Sequence, residues 1–239
     1  LAPDNSWYQE SVENAQSIIR KSGKDTGFNR KYVLDLATMS DQATGIIAQM
    51  KSQNITTIVC GCDPILPVFL SGVAAREKYF PEFIIVGTAL TDADIVGQLW
   101  NQDFAAHAFG VSSLTSFKPP TESIAYAAYK SVRQDEPAFS VDLIYYQMYM
   151  LAIGIHGAGP NLTPQTFDTG MASYPPKLGP VGLWKFGKGD RTAANDVREI
   201  YWDPKAISTY NGKNGAYLGT SNQRWQTGGI PTGDPGKPK

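Results

Sequence analysis

The chain has 239 residues and a mass of 26.0 kDa, which suits one large domain or two small ones. Lysine and arginine (21) nearly balance aspartate and glutamate (22), so no basic field exists to hold a phosphate backbone, and a nucleic-acid partner is argued against from the outset. A chain this long buries about 70% of its unfolded surface, so it needs neither metal nor disulfide staples to hold a core.

Ser6 followed by Gln9 has the form of a capping box and opens a helix that carries Val12, Ala15, Ile18 and Ile19, closed by Gly23. A short extended run follows at residues 32–36, and Ser40 caps a second helix with Ala43, Ile46, Ile47 and Met50 on one face. Residues 55–60 form a β-branched run suited to a strand buried on both faces. Pro64 and Pro67 start a third helix that runs to about Tyr79. Residues 83–86 (FIIV) predict another strand, TALTDAD an acidic turn, and residues 105–111 a further strand. Strands alternating with helices imply a parallel α/β sheet with right-handed crossovers. The series opens on LAPDN directly before a helix, so its first strand is reduced to Leu1 and Ala2.

After Ser112 the pattern changes. SFKPPT has the composition of a hinge crossing, and Thr121 caps a helix with Ile124, Ala128 and Val132 in register. Residues 140–156 make a longer helix, apolar nearly all round and hence expected to be buried on several sides, stopped by Gly157. Thr163 and Pro164 supply an N-cap and a first-turn proline for a short helix to about Ala172. Three helices with no strand between them belong to a second body. GLWKF and VREIYWD then predict a hairpin around GKGD, and residues 204–239 form an irregular, mildly basic tail in which Lys205, Lys213, Arg224, Lys237 and Lys239 face only Asp234. The most apolar stretch, residues 141–155, contains Asp142 and Gln147 and is shorter than the ~20 residues a bilayer needs.

Ligands of open parallel sheets sit at the carboxyl ends of the strands. That rule selects three loops, at residues 3–8, 61–64 and 87–94. They offer Asp4, Asn5, Trp7, Tyr8, Cys62, Asp63, Thr88, Thr91, Asp92 and Asp94, an aromatic pair with carboxylates that suits an amine-bearing or neutral polar solute. The four residues Asp4, Asn5, Asp92 and Asp94 serve equally well as turn formers or N-caps, and Trp7 and Tyr8 as packing. Cys60 and Cys62 fall on one face of a strand with Cα atoms ~7 Å apart, which favours two small buried residues, and a turn at Gly61 is what a bridge would need. Two histidines without ligand spacing give no metal site, Asp92 and Asp94 alone are weak cation ligands, and the chain has no GxSxG, GxxxxGK[ST], HExxH or GxGxxG motif. Neither catalysis nor a cofactor is expected.

The ordered set APDNSWYQESV, ITTIVCGCDP, YFPEFIIVG, AYAAYKSV, IYYQMYMLAIGIHGAGPNLTPQTFDTG and GPVGLWKFGKGD resembles the second half of a type I periplasmic solute-binding protein, the branched-chain amino acid receptor-like proteins that feed ABC transporters. The resemblance spans about residues 1–203. It implies the type I periplasmic-binding-protein fold, with three-layer, flavodoxin-like lobes on parallel sheets, and with the N-terminal lobe largely missing from this chain. Residues 1–111 would form most of the C-terminal lobe, 112–120 the hinge crossing, 121–175 helices of the N-terminal lobe, and 176–203 the return. The family's cleft aromatic matches Tyr8, with Trp7 beside it, and its next two cleft loops fall on Cys62 and Asp63 and on Thr88, Thr91 and Asp92. Cys-Gly-Cys-Asp-Pro stands where the family often has Gly or Ser, so the ligand is open to differ from an aliphatic amino acid.

The resemblance further implies hinge closure on an amino acid or similar small solute, an ABC transporter permease as partner, and a second chain or fragment that completes the cleft. It implies a periplasmic or extracellular location, with a lipid anchor outside these residues as one means of attachment. A ligand-sensing domain of a receptor or regulator shares this architecture, and an α/β hydrolase-like enzyme using Asp63 or Cys62 is the third alternative.

Overall fold

A computed structural model describes residues 1–226 apart from 117, 180, 181, 191 and 222. In chain order the elements are β1 (Ala2–Pro3), α1 (Ser6–Lys21), β2 (Lys31–Tyr32), α2 (Met39–Ser52), β3 (Thr57–Cys60), α3 (Leu66–Arg76) and β4 (Glu82–Ile85). A 3-10 turn at Thr88–Leu90 leads to the short helices α4 (Asp94–Gly97) and α5 (Gln102–Ala105), then to β5 (Ala108–Ser112). Helices α6 (Ile124–Lys130), α7 (Val141–Ala158) and α8 (Pro164–Ser173) follow. The chain continues as β6 (Lys177–Gly179), β7 (Gly182–Trp184), β8 (Asp196–Ile207), β9 (Asn214–Gly219) and β10 (Trp225–Gln226).

Strands β3, β4 and β5 pair in parallel, β1 pairs in parallel with β2, and β8 adds antiparallel to β5. The Leu1 N–H donates to the Val59 carbonyl (2.9 Å) and Gly61 N–H to the Leu1 carbonyl (3.0 Å), so β1 lies along β3. Leu1 and β1 therefore hold a place in the sheet beside β3. Helix α2 forms for the reason its sequence suggests: Ala43, Ile46, Ile47 and Met50 recur at helical spacing and all are buried. They meet Leu66, Leu70 and Val73 of α3 and the inward side chains Ile58, Cys60, Phe83 and Ile85 in one core.

Strand β3 alternates between buried and exposed side chains rather than being covered on both faces. Its right-handed crossovers carry α2 and α3 to the same side, which leaves Val59 uncovered on the other. Helix α1 starts at Ser6 but without the expected capping box. Gln9 turns away to donate to the Pro3 carbonyl and to accept from Asn29 (2.7 Å). Ala15 and Ile18 of its expected inner face are exposed. Helix α6 is capped by Ser123 rather than Thr121, and buries Ala125 while Ile124 and Val132 lie in solvent. The tail is not irregular throughout: β8 runs on to Ile207, and β9 and β10 both pair antiparallel with it.

Helices after Ser112 pack around a buried cluster separate from the core of the sheet. Ile153, Met171 and Trp184 make its buried centre, with Phe167 and Tyr174 packed around them. Helices α7 and α8 approach closely at Gly157 and Gly170, where a Cβ on Gly157 would lie 2.8 Å from the Gly170 Cα. Thr163 caps α8 with a complete capping box through Thr166. Trp184 places the β6–β7 hairpin with these helices, so the return to the sheet is made at Asp196. Helix α7 ends at Ala158, with Gly159 at φ 68° as its cap.

Helix α7 is not buried on several sides; only Ile153 and Gly154 are. Ile144, Met148, Leu151 and Ile155, one stripe at i, i+4, i+7 and i+11, are 45–60% exposed. A continuous apolar stripe of this kind drives association. Light scattering is expected to show self-association of the 239-residue chain, and Met148→Glu to reduce it without lowering the melting temperature. A monodisperse wild-type chain would contradict this.

Candidate functional site

The carboxyl ends of β1, β3 and β4 lie side by side, and the three loops they feed form one face of the sheet. Helix α1 begins at that face. Because helical side chains lean toward the N-terminus, its first-turn residues are directed at the strand ends. Trp7 is 61% exposed there and Tyr8 is buried, with ring centroids 4.0 Å apart. The buried Tyr8 fixes the shelf on which the Trp7 indole lies. Burial raises the Tyr8 pKa, and the Asp63 charge raises it further.

At the end of β3, Cys60 and Cys62 form a disulfide rather than standing as two separate buried residues. The strand ends at Cys60 and the chain turns at Gly61, which brings the two Cα atoms to 5.0 Å, less than an extended strand permits. Both cysteines are fully buried. Asp63 follows and is buried as well. Its Oδ1 accepts from the N–H of Ile65 (2.7 Å) and Leu66 at the start of α3, and its Oδ2 accepts from the Tyr32 hydroxyl. The Asp63 N–H donates back to the Tyr32 oxygen (2.9 Å). Burial and the bond to Asp63 push the Tyr32 hydroxyl well above its ordinary pKa.

The loop after β4 holds an uncommon backbone. Gly87 (φ 71°), Ala89 (φ 50°) and Leu90 (φ 67°) are left-handed, and a Cβ on Gly87 would lie 2.9 Å from Asp92 Oδ2. Three buried residues anchor it. Thr91 donates to the Thr88 carbonyl (2.8 Å), while its own carbonyl accepts from the Tyr217 hydroxyl (3.0 Å). Asp94 accepts from Ser208 (2.6 Å) and from the Tyr217 N–H (2.9 Å). Asp92 accepts from the Ser112 hydroxyl through Oδ2, and its Oδ1 has no partner among the described residues. The Asp92 and Asp94 carboxylates are thus both engaged by the fold, and no group of three or more His, Cys, Asp or Glu able to hold a metal occurs among the described residues.

The sheet therefore brings all seven expected residues, Trp7, Tyr8, Cys62, Asp63, Thr88, Thr91 and Asp92, to adjacent loops, but it distributes them unequally. Trp7 and the partly exposed Thr88 face solvent, whereas the carboxylates and Thr91 point inward. Asp4 and Asn5 remain exposed. Tyr32, Ser112, Ser208 and Tyr217 complete the site from segments far away in sequence, and no local motif marks them.

Burial pushes the Asp92 carboxyl pKa up, against the Ser112 bond and the Arg198 charge, which pull it down. A carboxyl with a raised folded pKa holds its proton more tightly when folded. Its stability contribution is therefore complete below the unfolded pKa and is lost as pH rises through the folded one. Asp92→Asn keeps an oxygen for Ser112 and removes the buried charge. It is expected to melt at or above wild type at neutral pH, with the gap closing as the pH is lowered into the ordinary aspartate range. Thermal scans across that interval check this, and a variant that melts well below wild type at neutral pH would contradict it.

No family model matches the chain, and no curated protein matches it by sequence. Solved structures match it by fold. A fatty acid ABC transporter substrate-binding protein from Thermomonospora curvata has 14% identity and a TM-score of 0.66, with 94% of this chain and 56% of that one covered. The closed leucine-, isoleucine-, valine-, threonine- and alanine-binding protein from Brucella ovis has 15% identity and a TM-score of 0.60, again with 94% and 56% covered. An ABC transporter solute-binding protein from Rhodopseudomonas palustris BisB5, in complex with 3,4-dihydroxybenzoic acid, has 12% identity and a TM-score of 0.64, with 94% and 60% covered. The chain spans less than two-thirds of the length of each of these structures. Within that span its α/β architecture has the fold of the type I periplasmic substrate-binding proteins of ABC transporters.

Proposed function

We propose that the chain belongs to an extracytoplasmic solute-binding protein that delivers a small organic solute to an ABC transporter permease, and that the strand-end face is one wall of its binding cleft. The observation that carries this is the exposed Trp7 indole, seated on buried Tyr8 at the carboxyl edge of a sheet of this fold. The similar structures are described as binding amino acids, a hydroxylated benzoic acid or fatty acids, all of which join an apolar body to a carboxylate.

On this wall the buried Asp63, Asp92 and Asp94 are held by other groups of the fold, so the solute meets Trp7, Thr88 and loop backbone, with Asp4 and Asn5 exposed beside them. The apolar body of an amino acid or similar solute fits that surface, and its charged head falls to the opposite wall. Full affinity then requires that other wall, from a second chain or a further segment, closing over the solute. The Cys60–Cys62 disulfide suits the oxidising compartment where such proteins work. No helix among the described residues is long and apolar enough to cross a membrane. The role is binding, and no catalytic step is assigned to Asp63 or to the disulfide-bonded Cys62.

Tryptophan fluorescence and calorimetry with leucine, phenylalanine and benzoate test the proposal. The 239-residue chain is expected to bind at least one of them weakly, with a Kd of about 1 mM, equivalent to ~4 kcal/mol. Trp7→Ala is expected to abolish that binding without unfolding the chain. Micromolar affinity in this chain alone would overturn the need for a second wall, and unchanged binding in Trp7→Ala would overturn the site.

A further inference from the structure

The chain leaves the sheet at Ser112 and rejoins it at Asp196, and the whole second body lies between these points. The last ladder pair that joins the outgoing and returning strands is Ser112 with Arg198. Beyond it the two crossings are fastened by side chains. Arg224 donates through Nη2 to the Ser113 carbonyl (2.8 Å) and to Asp196 Oδ1 (2.9 Å), and through Nη1 to the Leu114 carbonyl (3.2 Å). Arg198 donates through Nε to the same Leu114 carbonyl (3.0 Å) and through Nη1 to Ser116 (3.2 Å). Asp196 Oδ1 also accepts from the N–H of Leu183, on the hairpin that packs with the helices (3.4 Å). Arg224 reaches this point because β10 pairs with β8, with Trp225 opposite Val197 and Gln226 opposite Asp196. A segment that reads in sequence as surface coil thus supplies the guanidinium that ties both crossings together.

We propose that Arg224 is the latch of the hinge between the two bodies, a positioning residue that sets their relative orientation by clamping residues 113–114 to Asp196. The proposal rests on the reading of the chain as part of a two-lobed solute binder. A guanidinium is suited to the task because its rigid fork serves several acceptors at once, and charge-assisted hydrogen bonds are roughly twice as strong as neutral ones. The latch is also connected to the binding wall. Ser112 donates to Asp92 in the cleft loop and accepts from the Leu114 N–H (3.0 Å), so a shift of that loop reaches the clamped carbonyls through a single hydroxyl. The bodies also meet where Phe139 packs edge-on against Tyr210 (5.4 Å), away from the latch.

Hydrogen exchange by NMR on the 239-residue chain tests the latch without any solute, so its outcome is independent of whether a solute is found. The amides of Leu114 and Leu183 report it directly, because both are protected by side chains of the knot. In Arg224→Ala, in Arg224→Lys and in Asp196→Asn these two amides are expected to exchange about tenfold faster or more, while Phe83 and Ile85 in the sheet stay as protected as in wild type. Small-angle scattering is expected to show a larger radius of gyration in the same variants, and Lys51→Ala, which breaks an exposed ion pair, to change neither readout. Unchanged protection at Leu114 and Leu183 would overturn the proposal. So would equal loss of protection throughout the sheet, or failure of all three variants to fold, since a latch is dispensable to the bodies it joins.

Discussion

The pairing of β8 with β5 is the constraint on which the rest of the molecule depends. Phe109 through Ser112 run antiparallel to Arg198 through Tyr201, and this ladder extends a parallel sheet by one strand that arrives from the opposite direction. It closes the excursion of residues 113–195 and makes the second body an appendage held by two adjacent strands. It also carries β9, and with it Tyr217, to the loop after β4. Without that return, Thr91 and Asp94 would lose the partners that hold the left-handed backbone at Ala89 and Leu90 in place.

On the strand-end face that results, three of the four aspartates of its loops are turned into the fold and only Asp4 is exposed. Asp63 is neutralised in function by Tyr32 and by the amides that open α3, Asp92 by Ser112, and Asp94 by Ser208 and Tyr217. A carboxylate taken out of water must have such partners, and for Asp63 and Asp94 they come from the protein itself, whereas Asp92 is held through Oδ2 alone and its buried Oδ1 has none among the described residues. What remains outward is an indole, a threonine, Asp4, Asn5 and backbone. That surface offers shape and apolar contact from the indole, and its exposed charge is confined to Asp4.

Local patterns made much of the fold legible. The stripe from Ala43 to Met50 and the Thr163–Pro164 helix start depend on neighbours within a turn or two, and both appear where the sequence puts them. The anomaly of three helices without a strand pointed to a second body, and α7 and α8 pack around a buried cluster apart from that of the sheet. What was not legible depends on residues far apart. The bridge between Cys60 and Cys62 required knowing that β3 stops at Cys60 and turns. The loss of Asp63 and Asp92 as free ligands required Tyr32 and Ser112, which are 31 and 20 residues away. Arg224 counted only as one of several cations in a tail, because nothing local shows that Trp225 and Gln226 pair with β8. The apolar sequence of α7 spoke for burial, yet how much of a helix is covered depends on which elements surround it.

The most direct test of the account is the location of a bound solute. Backbone and indole NMR shifts of the 239-residue chain, followed on addition of phenylalanine or benzoate, are predicted to move first and furthest at residues 4–8, 61–65 and 87–91, with the Trp7 indole N–H among them. Shifts confined to the apolar groove between α7 and α8, around Met150, Phe167 and Met171, with the Trp7 indole unmoved, would contradict it.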